Sequence, residues 1–88
     1  MPPYHEDRLD EVFYYGRGKC ACCRKQLVRS NYGLRAYQEG RRGAWEVDHR
    51  VPVSRGGSEN LRNLQPMCVP CNRAKVDRHH CTACGCRR

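Results

Sequence analysis

Asp48 and His49 stand side by side, and Asn63, Cys68, Cys71, Asn72 and Lys75 follow within a short stretch. A carboxylate, an imidazole, two carboxamides, two thiols and an amine at that density serve no obvious packing purpose. A histidine with an ordinary pKa near 6.5 can take a proton from water at neutral pH. Asp48 and Asn72 offer oxygen, which suits a hard divalent cation such as Mg²⁺ or Mn²⁺ better than zinc. An ion held by so few protein ligands keeps positions open for a phosphate oxygen and a leaving oxygen, whose growing charge it stabilises. The assortment points to metal-assisted cleavage of a phosphodiester. Singly, each residue has a plainer reading: a surface turn for Asp48-His49, a helix cap for Asn72, a solvated charge for Lys75.

Two Cys-x-x-Cys pairs, Cys20/Cys23 and Cys68/Cys71, flank 44 intervening residues. Each pair can grip one edge of a tetrahedral zinc, at a Zn–S distance of about 2.3 Å. Such a site contributes on the order of 10 kcal/mol to folding in small zinc domains. Lys19 to Leu27 reads as a zinc knuckle, a tight turn whose amides face the thiolates. Cys22 competes with Cys23 for register; the two-residue spacing favours Cys20 with Cys23 and leaves Cys22 as a bystander thiol. Disulfides are the alternative for all four. The tail carries His79, His80, Cys81, Cys84 and Cys86, whose composition suits either a second metal site or an unstructured tail.

With 88 residues, one Phe and one Trp, the chain can fill only a small apolar core, so a metal or disulfide staple is expected. The opening residues carry no apolar run resembling a signal peptide or membrane span. The expected setting is therefore cytoplasmic, of bacterial or phage type, where paired Cys-x-x-Cys reads as metal first. Seventeen basic against nine acidic residues give a net charge of +8. Four thiolates and one zinc would together remove only two of those charges, so a polyanionic partner stays the natural expectation.

The elements that must position these groups are short. Leu9, Val12 and Phe13 fall at helical spacing after acidic Glu6 and Asp7 and before Gly16, predicting a helix of about ten residues with no chemistry of its own. Residues 28 to 43 show no period and read as a loop or a poorly marked strand pair. Trp45 to Val51 reads as a strand, with Trp45, Val47 and Val51 on one face. Ser54 to Asn60 reads as a turn-rich loop, Leu64 to Met67 as the return strand, and Pro70 as the first turn of a helix to about Asp77. In a regular strand Asp48 and His49 face opposite sides. Their convergence on one phosphate therefore requires the strand to end or twist sharply there.

Asp48-His49, Pro52, Gly56-Gly57, Asn60-Leu61, Asn63-Leu64, Cys68-x-x-Cys71-Asn72 and Lys75 together resemble the HNH endonuclease motif in its zinc-stapled form, with asparagine at the third position. The resemblance covers Cys20 to Asp77. It implies a small α+β fold, a zinc-stabilised ββα-metal (His-Me finger) domain, here over residues 17–77; the N-terminal helix over 1–16, residues 28–43 and the Cys/His-rich basic tail over 78–88 lie outside the resemblance. It implies His49 as general base, Asp48 and Asn72 as ligands of the catalytic cation, and Asn63 as the residue that fixes the loop so that His49 stays aimed. Mg²⁺ or Mn²⁺ is the expected cation, with Ni²⁺ or Zn²⁺ as alternatives. DNA is the expected partner, met in the minor groove. Arg50, Arg55, Arg62 and Lys75 would contact its backbone without reading bases. No membrane is expected; a homodimer or a larger DNA-processing complex is not excluded. The rivals are a catalytically inactive zinc-bound nucleic-acid-binding module and an interaction module of a larger machine.

Overall fold

A computed structural model describes residues 4–75, except for the side chain of Lys75. The readings of the Cys- and His-rich tail at 78–88 and of the Lys75 amine lie outside the described residues. The fold is a small α+β domain built on one two-stranded antiparallel sheet.

Helix α1 spans Glu6–Tyr15. His5 caps it, its Nδ1 accepting from the Asp7 amide at 3.1 Å, and Glu6 and Asp7 complement the positive end of the helix. The stripe Leu9, Val12 and Phe13 is buried as the spacing predicts. Phe13 meets Trp45 with ring centroids 5.2 Å apart. Arg29 ties the following loop back to α1 through Asp10 at 2.6 Å and Glu6 at 2.9 Å.

Strand β1, Trp45–His49, pairs with β2, Leu64–Cys68, in a register running from Trp45 opposite Cys68 to His49 opposite Leu64. Trp45, Leu64 and Met67 are fully buried and join Val12, Phe13 and Leu27 in a single core around this sheet. The strand is shorter than the predicted Trp45 to Val51. Beyond His49 the Arg50 amide bonds to the Asn63 carbonyl at 2.8 Å, and the Val51 amide is taken by the Asn63 side chain at 2.8 Å. The first bond carries the pairing one residue further; the second, to a side chain, ends it, and Val51 is exposed.

Residues 28–43 are neither plain loop nor strand pair. They contain a short helix α2, Leu34–Gln38, and join the sheet through a bridge between Tyr32 and Trp45 and through the Trp45 indole, which donates to the Arg29 carbonyl at 3.2 Å. Gly33, at φ 105°, supplies the left-handed turn that starts α2. Between the strands lie two 3₁₀ turns, Val53–Arg55 and Leu61–Asn63. Helix α3, Val69–Lys75, follows β2 with Pro70 in its first turn and packs on both strands.

Candidate functional site

The four predicted ligands converge. The sulfurs of Cys20, Cys23, Cys68 and Cys71 all lie within 4.8 Å of one another, and Cys23 and Cys68 are 3.9 Å apart. A tetrahedron with Zn–S near 2.3 Å has S···S edges of about 3.8 Å, so the donor set fits a structural zinc ion. The knuckle forms as expected. The amides of Cys22 and Cys23 point at the Cys20 sulfur at 3.4 and 3.5 Å, and Arg24, at φ 67°, closes the turn. A hydrogen bond from the Cys68 thiol pulls Cys20 down to about 4, and the same contact, with burial, pushes Cys68 up. Without a cation the cluster must keep protons between its sulfurs; a dication replaces them. Cys22 takes no part in the cluster, but it is disulfide-bonded rather than a spare thiol. The cluster ties the knuckle after α1 to the junction of β2 and α3.

Asn63 closes the inter-strand loop. Its side chain accepts from the Val51 amide at 2.8 Å and donates to the carbonyls of Val51 at 3.1 Å and Ser58 at 2.7 Å. Gly57 passes so close to the Val51 carbonyl that a Cβ there would lie 1.7 Å from the oxygen. Gly57 thus has a steric cause, whereas Gly56, with nothing within 4 Å of a Cβ, owes its place to a φ of 88°. The loop is drawn tight against the end of β1, where His49 sits.

Pairing stays in register through His49, so the sharp turn comes after this residue and not between it and Asp48. The two side chains accordingly meet different partners. Asp48 is buried and accepts from Gln65 Nε2 at 2.7 Å. His49 Nε2 lies 3.0 Å from Glu59 Oε2 in the loop, with the His49 side chain only 16% exposed. That hydrogen bond, foremost, holds the Glu59 carboxyl below its usual range. Asn72 donates to Glu46 Oε1 at 2.9 Å, and Arg73 meets Glu46 Oε2 at 2.7 Å. Glu46 is two residues before Asp48 and therefore shares its face of β1. Helix α3 thus carries Asn72 to the strand face that bears Asp48. The donors gathered there are oxygens, and Gln65 Oε1 is buried with no hydrogen-bond partner among the described residues. An oxygen-rich set around a buried carboxylate fits a hard divalent cation.

Three groups at this site were not singled out from the sequence. Glu46 was legible in principle from strand alternation with Asp48. Gln65 became visible only through the register that sets it opposite Asp48. Glu59 gave no signal, because its contact with His49 is made by the folded loop.

Arg50, Arg55 and Arg62 are exposed. Arg50 also donates to the Arg62 carbonyl at 3.1 Å, and it borders a cleft of about 390 Å³ along the outer edge of β2. Arg17, Lys19 and Arg24 line the same cleft, no acidic residue does among the described ones, and Gln65 contributes to its wall. Basic side chains and a neutral amide make it receptive to a polyanion. No helix among the described residues is long and apolar enough to cross a membrane.

Compared with known proteins, residues 20–78 match a family model described as HNH endonuclease, well over half of the chain. No curated protein and no solved structure matches.

Proposed function

Because this chain belongs to the HNH endonuclease family, we propose that it is a metal-dependent endonuclease hydrolysing DNA phosphodiester bonds with low sequence specificity. The observation that carries the reading is the meeting of α3 and β1. Packing of the helix brings Asn72, far along the chain from Asp48, to the strand face that bears it. His49 stands at the adjoining strand end, under a loop that Asn63 holds closed.

In this reading Asp48 and Asn72 hold the catalytic cation, with Mg²⁺ or Mn²⁺ favoured by the oxygen donors. The Nδ2 of Asn72 is engaged with Glu46, and its carboxamide oxygen is the atom that would hold the cation. When bound, the cation supplies Lewis-acid stabilisation of charge on the scissile phosphate and its leaving oxygen. His49 takes the proton of the attacking water; the water oxygen bonds to phosphorus as the bond to the 3′ oxygen breaks. Asn63 keeps the base aimed through its backbone contacts. Arg50, Arg55, Arg62 and Lys75 set the position of the DNA backbone, and the cleft bearing Arg17, Lys19 and Arg24 extends that surface.

The test is nicking of supercoiled plasmid with Mg²⁺, Mn²⁺, Ni²⁺ and Zn²⁺ in turn. His49→Ala is expected to slow nicking by about 10²- to 10⁴-fold while leaving DNA affinity nearly intact. An unmodified protein that leaves plasmid uncut with every metal would overturn the reading in favour of an inactive nucleic-acid-binding module.

A further inference from the structure

Helix α1 lies outside the segment that matches the family, which begins at residue 20, and its sequence suggests only packing. Its first turn, and Tyr4 just before its cap, nevertheless reach the residue that touches the histidine. The Tyr4 hydroxyl donates to Glu59 Oε1 at 3.1 Å. The Arg8 guanidinium donates to the Glu59 backbone carbonyl and is braced by Glu11 at 3.1 Å. The other carboxylate oxygen, Oε2, faces His49 Nε2 at 3.0 Å. Both oxygens and the main chain of Glu59 are thus engaged, from residues more than fifty positions away and from one ten positions away. Isolated surface pairs of this kind contribute little to stability, so two holds on one exposed carboxylate and a third on its main chain call for another explanation.

We propose that Glu59 is the positioning residue for His49, and that the N-terminal segment holds Glu59 in place through Tyr4 and Arg8. The inference rests on the reading of His49 as general base. A carboxylate can only accept, so the ring nitrogen facing Glu59 carries the proton, and in the neutral ring the lone pair resides on Nδ1. The contact therefore fixes both the tautomer and the ring plane, the two things a base needs before it can take a proton from water. In the cleavage step the water proton passes to Nδ1, and the resulting imidazolium is stabilised by the Glu59 carboxylate. Tyr4 remains a donor at any workable pH, because burial, followed by the charge of Glu59, pushes its phenol up to about 12.

The experiment uses the full chain, zinc-loaded, as the unmodified protein and as Glu59→Gln and Tyr4→Phe. Three quantities are measured: the single-turnover nicking rate with Mn²⁺, the affinity for a DNA duplex, and the tautomer of His49. The tautomer is read by long-range ¹H–¹⁵N correlation at pH 8, with His49→Ala assigning the signal. The expected result for the unmodified protein is the Nε2–H tautomer. Glu59→Gln should lose its dominance and nick roughly 10- to 100-fold more slowly, with DNA affinity within about twofold. Tyr4→Phe should fall between the two. A merely structural role for Glu59 would lower thermal stability without moving the tautomer. The proposal is overturned by an Nδ1–H tautomer in the unmodified protein, or by Glu59→Gln nicking at the unmodified rate or faster. A faster rate would mean that Glu59 masks the base. Failure of the nuclease reading shows up separately, as no nicking by the unmodified protein with any metal, whatever the tautomer.

Discussion

At the scale of single residues, the inter-strand loop depends on one side chain more than on any apolar contact. Asn63 makes three hydrogen bonds to main-chain groups of a segment that is otherwise exposed. Each such bond contributes about 1 kcal/mol net, and each backbone group left without its partner can turn to water. Asn63→Ala is therefore expected to cost roughly 1–3 kcal/mol in urea denaturation, with zinc content unchanged, and to slow nicking more than a loss of that size explains. Asn63→Asp should do worse, since a carboxylate cannot donate to the Val51 and Ser58 carbonyls and would place charge beside both. If Asp is as well tolerated as Ala, the two donated bonds are not what holds the loop. The residue's identity was legible from the sequence, because few side chains both donate and accept at such reach. Its partners were not.

At the scale of elements, what the sequence revealed and what it hid follow from length. The stripe of α1 and the knuckle around Cys20 declare themselves because spacing alone defines them. Helix α2 does not: five residues with only Ala36 buried carry no period to read. The end of β1 falls before the predicted Val51 because alternation continues in the sequence, whereas the Asn63 side chain takes the Val51 amide and ends the pairing. Gly57 shows how a loop can be fixed by what it lacks. Any side chain there meets the Val51 and Pro52 carbonyls, so Gly57→Ala must push the loop off the strand end. A loss of roughly 2–4 kcal/mol is expected, against about 1 kcal/mol for the same change at Gly40, where nothing lies within 4 Å and the only strain is that of a positive φ. Equal midpoints for the two variants would refute the steric account. The cysteine cluster acts between elements, joining the knuckle to the β2–α3 junction. A chelator strong enough to strip zinc should therefore remove on the order of 10 kcal/mol and unfold the domain cooperatively. Persistence of a native near-ultraviolet circular dichroism spectrum in the metal-free protein would show that the apolar core suffices.

At the scale of the whole molecule, charge and site are arranged on a common edge. The net charge of +8 is not spread evenly over chemistry-bearing surfaces: the acids near His49 and Asn72 are engaged in specific contacts, while among the described residues the cleft beside β2 carries four cations and no acid. Gln65 belongs to both, bonding Asp48 on one side and lining the cleft on the other. A DNA backbone lying in that cleft would run towards the strand end that carries His49, and its phosphates would displace counterions as it docked. For a handful of phosphates neutralised, the logarithm of affinity should fall with the logarithm of salt at a slope of about −3 to −5. Replacing Lys19 and Arg24 together by Gln should flatten that slope by about 1 to 2 and weaken binding alike for every DNA sequence tried, because backbone contacts do not read bases. Fluorescence anisotropy across a salt series measures both effects. A slope near zero for the unmodified protein would remove DNA docking from the account. A normal slope left intact by the double substitution would instead move the docking face away from this cleft, towards Arg55 and Arg62 on the loop.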